Sequence, residues 1–228
     1  MDKKYREEKE IEQDVETLIN GDRVIAFSDA VFAFAATLLV LKIDLPQIPP
    51  EALSTQFSAE LLKLWPQYTA NFISFLIIAY YWRLHHKLFI LIKRYDNVLV
   101  WINTFILISV AFLPFPIDLF GTYPSIGSVV IFYTLSISLV GFLILVLWLY
   151  AAQNHRLIDK GMSKRVIIYH TIDVAIAPCV FLFSVPLAQV HHIIAKISWI
   201  FVLIFLCILN TGYKLTKKEK TSYNPPPL

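Results

Sequence analysis

"RVIAFSDAVFAFAATLLVLKI", residues 23–43, decides how this chain is to be read. It is long and apolar enough to cross hydrocarbon, yet it opens on Arg23, carries Ser28 and Asp29 early, and meets Lys42 near its far end. On an ideal helix of ~100° per residue, Phe27, Ala30, Phe34, Thr37, Leu38 and Leu41 fall within roughly 60° of one line. That face is apolar except for the Thr37 hydroxyl. Asp29 points about 120° away, with Ala26, Ala33 and Ala36 within about 60° of it. Small side chains beside an acid let a neighbouring helix approach closely, and an ionisable residue inside a span is expensive enough that it pairs or serves function. The helix therefore aims a charge at partner helices and offers a bulky apolar stripe elsewhere. On the residues alone, that stripe is equally served by lipid or by packing.

The rest of the chain fits a membrane setting. Apolar residues make up 57% and charged residues 16%, and mean hydropathy is +0.62, which together describe a polytopic membrane protein. Its length accommodates about six spans of ~20 residues, expected at 23–44, 67–92, 97–119, 126–152, 166–189 and 193–213. Residues 1–22 are expected to form a cytosolic arm, amphipathic or partly ordered, with Asn20-Gly21-Asp22 punctuating the entry to the first span. They lack the apolar region of a cleavable leader, so the first span is expected to serve as its own targeting signal. Residues 23–213 form the membrane domain, and 214–228 a cytosolic basic and proline-rich tail. The longest connection, 45–66, begins with prolines and then takes on a helical period, which predicts a short amphipathic helix at the outer surface.

Of the 20 Lys and Arg residues, all but Lys42, Lys63 and Lys196 fall on the same side as the N-terminus, which places both termini in the cytosol. The basic residues flank apolar segments and form no patch for nucleic acid. Cys179 and Cys207 sit in apolar runs and read as buried small residues, not as a disulfide or metal pair. Pro114 and Pro116, and Pro178 and Pro186, are expected to kink or end their spans.

Partners for Asp29 are available at similar depth. The second span carries Trp82, Arg83, His85 and His86 in "YYWRLHHKLF", and the third opens on "NVLVWINTF" with Trp101 and Asn103. Indole, imidazole and carboxamide groups all donate to a carboxylate. His170 and Asp173 are i, i+3 neighbours on the fifth span, readable as a packing pair or a proton relay. Metal binding by His85 and His86 is not expected, because adjacent helical residues diverge by ~100°.

These residues resemble the prokaryotic members of the endolysosomal-type potassium channel family, transmembrane protein 175. The family's R-x-x-x-F-S-D motif is met by Arg23, Phe27, Ser28 and Asp29. "AVFAFAATLLVLKI", "SFLIIAYYWRLHHKLF" and "WINTFILISVAFLPFP" are also similar to family sequence. The likeness covers residues 20 to 118; spans four to six agree in number and hydropathy. The resemblance implies an all-α integral membrane protein with six transmembrane helices per subunit. It further implies a homotetramer whose first helices line a central pore for potassium ions. It implies no T-V-G-Y-G filter; the constriction falls at Phe34, Leu38 and Leu41, with Thr37 contributing to selectivity. Phe34 departs from the isoleucine or leucine more usual at its position.

Within that frame Arg23, Phe27, Ser28, Asp29, His85, His86, Trp101 and Asn103 are expected to hold the first helix in register against spans two and three. Arg23 is alternatively a snorkelling cation at the cytosolic end, and Thr37 a hydroxyl bonded to the Ala33 carbonyl. Asp44 is either an outer-mouth acid that concentrates cations or a solvated loop acid. The expected partners are potassium ions, membrane lipid and other copies of the chain, in the cell membrane. The chain lacks H-E-x-x-H, G-x-S-x-G, P-loop and Rossmann signatures, so neither enzymatic activity nor a cofactor is expected. The rival is a proton-coupled or proton-permeable transporter using Asp29, Asp173 and His170. Such folds break helices near mid-membrane, and the first span carries no such break.

Overall fold

Away from water a chain must satisfy its backbone hydrogen bonds internally, and helices do so within one segment. The computed structural model describes residues 3–44, 48, 53–202, 204, 205, 208 and 209, with side chains from 21 onward apart from 53, 54 and 192. The tail 214–228, Cys207 and most of the proline-rich stretch 45–52 lie outside the described residues. The architecture is all-helical: α1 (Lys3–Leu41), α2 (Leu53–Lys63), α3 (Trp65–Leu91), α4 (Asn97–Phe112), α5 (Pro114–Thr122), α6 (Gly127–Ala152), α7 (Lys164–Val190) and α8 (His192–Ser198).

Among the described residues, four stretches are long and apolar enough to cross a bilayer: Gly21–Leu41, Asn97–Thr122, Gly127–His155 and Lys164–Val190. The first has 21 residues, about 32 Å of helix at ~1.5 Å per residue, against a hydrocarbon core of ~30 Å. The expected second span corresponds to α3, whose 27 residues supply the length but not the composition, being diluted by Gln67, Asn71, Arg83, His85, His86 and Lys87. At the expected sixth span, an apolar helix is described over Ile193–Val202, and several residues beyond it fall outside the description.

The chain does not break at Asn20-Gly21-Asp22; α1 runs through it. Gly21 instead answers a packing need, because a Cβ there would meet the Tyr95 ring at 2.6 Å. Burial first, and the Asp22 carboxylate second, raise the Tyr95 phenol above its ordinary pKa. The prolines divide into two cases. At Pro114 the third span breaks into α4 and α5, and the Leu113 N–H bonds to the Val110 carbonyl instead of continuing the α pattern. Pro178 and Pro186 lie inside α7, which continues through both. A short helix does form in the long connection, as α2, whose Lys63 pairs with Glu60 at 2.6 Å.

Helix α1 packs on α3 and α4, α4 on α6, α5 on α3 and α6, and α6 along α7, which α8 covers in turn. The core between them holds Trp148, Tyr81, Tyr133, Phe32 and Phe89, all nearly inaccessible. Gly141 lets this core close: a Cβ there would sit 2.7 Å from the Tyr81 hydroxyl and 2.9 Å from the Pro178 ring. Small residues at such crossings let helix backbones approach where no hydrophobic effect drives them together.

Candidate functional site

Helix α1 presents two faces of opposite character. Ser28, Phe32, Ala35 and Leu39 are buried against the subunit's own helices. Phe27 is 65% exposed, Phe34 63% and Leu41 79%; Ala30 and Thr37 are also exposed, and Leu38 is half-buried. The stripe expected from periodicity is thus the face that does not join the subunit core. The Thr37 Oγ1 donates to the Phe34 carbonyl at 2.9 Å, one residue nearer than the Ala33 carbonyl named from sequence. Its oxygen keeps acceptor capacity on the exposed side. Of the small residues expected around Asp29, Ala36 is buried while Ala26 and Ala33 are exposed.

On the other face the polar residues meet their partners. The Trp82 indole Nε1 donates to Asp29 Oδ1 at 2.8 Å. One residue back, the Ser28 hydroxyl donates to the Val24 carbonyl at 2.7 Å and accepts from Asn103 Nδ2 at 3.0 Å. Asn103 Oδ1 lies 2.7 Å from His85 Nε2. A carboxamide oxygen only accepts, so in this arrangement His85 carries its proton on Nε2; its Nδ1 is buried without a partner among the described residues. Phe89 stacks on the imidazole with centroids 4.4 Å apart, and Phe32 tilts against it at 5.4 Å. Three helices are therefore stitched at one depth by neutral groups and a single carboxylate.

Not every expected member joins. Trp101 is 64% exposed and makes no described hydrogen bond. His86 lies against Trp82, with ring centroids 5.8 Å apart, and its Nδ1 is buried without a described partner. Arg23 is exposed and lines a cleft of about 470 Å³ with Phe27, Tyr95, Asp96 and Thr104. Cys179 is exposed rather than buried. It lines an apolar cleft with Phe183, Ile197 and Phe201.

Other polar contacts involve partners that the sequence reading did not name. Asp173 is 3% exposed and pairs with Lys87 Nζ of α3 at 2.9 Å, while its carbonyl accepts from the Tyr80 hydroxyl at 3.3 Å. His170 is buried edge-on against Trp148 at 5.7 Å, so Lys87 rather than His170 is the hydrogen-bonded partner of Asp173. Beyond the end of α1, the Asp44 backbone N–H donates to Gln67 Oε1 at 3.1 Å and Gln67 Nε2 donates to Asp44 Oδ2 at 2.7 Å. At the opposite end of the bundle, Asp96 caps α4 by accepting from the Leu99 N–H at 2.8 Å. It also accepts from the Tyr150 hydroxyl at 2.7 Å and lies 3.7 Å from Arg156 Nε. Among the described residues no group of three His, Cys, Asp or Glu side chains is set to hold a metal.

Comparison with known proteins converges on the same helices. Residues 23–114 match the family model described as endosomal/lysosomal potassium channel TMEM175. A protein named a potassium channel in Chamaesiphon minutus is 43% identical over 101 residues, covering 44% of this chain and 49% of that protein. One so named in Streptomyces collinus is 40% identical over 102 residues, covering 44% and 48%. The match thus spans about half the length of these curated relatives. The endosomal/lysosomal proton channel TMEM175 of Homo sapiens is 29% identical over 107 residues, covering 46% of this chain and 21% of that protein. The fold is similar to the crystal structure of a lysosomal potassium-selective channel TMEM175 homolog from Chamaesiphon minutus. There the TM-score is 0.72 at 28% identity, over 84% of this chain and 98% of that one.

Proposed function

We propose that this chain, whose residues 23–114 match the TMEM175 family model, is a potassium-selective channel of the cell membrane. Conduction is passive, along an axis shared by four copies, and the α1 helices line it. One observation carries the reading. The exposed face of α1 collects Phe34, Thr37 and Leu41, while the opposite face is tied to α3 and α4 by Trp82, His85 and Asn103. A helix so firmly oriented presents its outward face in a defined direction, as a pore wall requires.

Rings of apolar side chains narrow a pore below the diameter of a hydrated ion, and potassium gives up water more readily than sodium. In this reading Phe34, Leu38 and Leu41 form the constriction, and Thr37 oxygens replace part of the lost hydration. Six helices cross the membrane, α3 among them: His85 is buried against Asn103 and Lys87 pairs with Asp173, which keeps part of its polar content on protein partners. Both termini are cytosolic by the distribution of Lys and Arg.

Purified protein in liposomes tests this directly. It should pass potassium without a coupled ion, Phe34→Ala should raise conductance, and cross-linking should trap tetramers. If only monomers and dimers are trapped, the shared axis is refuted. A second reading, proton permeation, is favoured by the names of the vertebrate relatives and by a buried His170 on the same helix as Asp173, which pairs with Lys87 of α3. A pH-sensitive dye inside the same liposomes separates the two.

A further inference from the structure

We infer that Gln67 is a positioning residue for permeation: it holds the Asp44 carboxylate at the outer end of α1, where that charge gathers cations for the pore. This rests on the channel reading above, with α1 as the lining helix.

Asp44 lies three residues past the last residue of α1, where a side chain ordinarily wanders. Here it is held at two points by one partner. Its backbone N–H donates to Gln67 Oε1 at 3.1 Å, and Gln67 Nε2 donates to its Oδ2 at 2.7 Å. The two bonds hold both the backbone and the carboxylate of Asp44. The residues are 23 positions apart, so this is a tertiary contact and not a local turn. Gln67 is itself 8% exposed and belongs to α3, the helix that also anchors Asp29 through Trp82.

Packing behind Gln67 keeps it in place. A Cβ added to Gly121 of α5 would come within 3.3 Å of the Gln67 Cα and 3.5 Å of its Cγ. The glycine thus lets α5 press against the glutamine, and the carboxamide is left facing Asp44. The chemistry of the clasp matters as much as its geometry. Had a lysine or arginine held Asp44, its field would be cancelled at source. A carboxamide orients the acid through a charge-assisted hydrogen bond and leaves its negative charge intact. Of the cations nearby in sequence, Lys42 is exposed, and Lys63 is committed to Glu60 at 2.6 Å. Repeated around an axis, such carboxylates raise the local concentration of cations at the mouth.

Potassium conductance of the full-length protein in planar bilayers tests this in two salts. One is about 0.01 M KCl, where the Debye length is ~30 Å, and the other about 1 M, where it is ~3 Å. Gln67→Leu and Asp44→Asn should each lower conductance roughly twofold to fivefold in the dilute salt and leave it near the wild-type value in the concentrated one. The double variant should fall no further than Asp44→Asn alone. Gln67→Asn keeps a carboxamide but shortens its reach, and should behave as Gln67→Leu; it also serves if the leucine variant fails to assemble. Equal losses in both salts, or unchanged conductance in dilute salt, overturn the inference. Absence of potassium current from the wild type in concentrated salt overturns the channel reading instead.

Discussion

Trp82 donates its indole N–H to Asp29 Oδ1 across 2.8 Å, joining residues 53 positions apart on α3 and α1. The bond explains how an acid is carried within an apolar helix. It also turns the Phe34 and Leu41 face away from the subunit, because Asp29 lies on the other side of the helix axis.

Asp29→Ala should therefore damage assembly more than ion preference. The expected result is a lower yield of tetramer by size-exclusion chromatography, with an unchanged potassium-to-sodium reversal potential in the channels that form. Trp82→Phe should resemble it, since the aromatic volume stays but the carboxylate loses its donor. An intact tetramer with altered selectivity would contradict the anchoring role.

The Ser28–Asn103–His85 chain makes a separate prediction. Asn103→Leu removes the Ser28 donor and the His85 acceptor together, leaving the buried His85 Nε2–H unpaired and Ser28 with only its bond to the Val24 carbonyl. Interhelical hydrogen bonds in membranes average about 0.6 kcal/mol and reach about 1.7 kcal/mol, so a loss of about 1–3 kcal/mol is expected for the pair. Thermal unfolding in detergent measures it. Ser28→Ala in the Asn103→Leu background should cost almost nothing more, because the partner is already gone.

How much of this was legible in the sequence follows from the range of each interaction. The division of α1 into two faces depends only on helical period, and Phe27, Phe34, Thr37 and Leu41 are exposed where the period puts them. The donor for Asp29 narrows to a few residues because a carboxylate in an apolar span needs one and the second and third spans offer few. Trp101 shows the limit. It has the right chemistry at the right depth, but its place on the helical circumference turns it outward at 64% exposure. Long-range partners were harder still. Lys87 bonds Asp173 across 86 positions, whereas His170, only three away, suggested itself by proximity in sequence. The uninterrupted course of α1 through Gly21 was hidden for a related reason: the glycine answers to the Tyr95 ring, not to a turn.

The Lys87–Asp173 pair should prove structural. Asp173 is 4% exposed at the side chain and Lys87 39%, so losing the lysine strands a buried charge. Breaking a buried pair typically costs about 3–5 kcal/mol; the part-exposed ammonium places Lys87→Met at or below the lower end of that range. Lys87→Met with Asp173→Asn should recover stability, because no uncompensated charge remains. If the double variant is no more stable than Lys87→Met, the interaction is not electrostatic.

Selectivity is the most direct consequence of the proposed pore. The Thr37 hydroxyl hydrogen is committed to the Phe34 carbonyl at 2.9 Å, which leaves its oxygen lone pairs as the groups turned to the exposed side. A cation stripped of part of its shell needs oxygen ligands, and four such atoms supply them only if α1 faces the axis. Thr37→Ser keeps the oxygen and should retain the potassium-to-sodium permeability ratio within about twofold. Thr37→Val keeps the shape but removes the oxygen, and should lower the ratio several-fold while potassium still passes. Reversal potentials under bi-ionic conditions measure both. A valine variant as selective as the wild type would assign discrimination to the width of the Phe34 and Leu41 constriction alone.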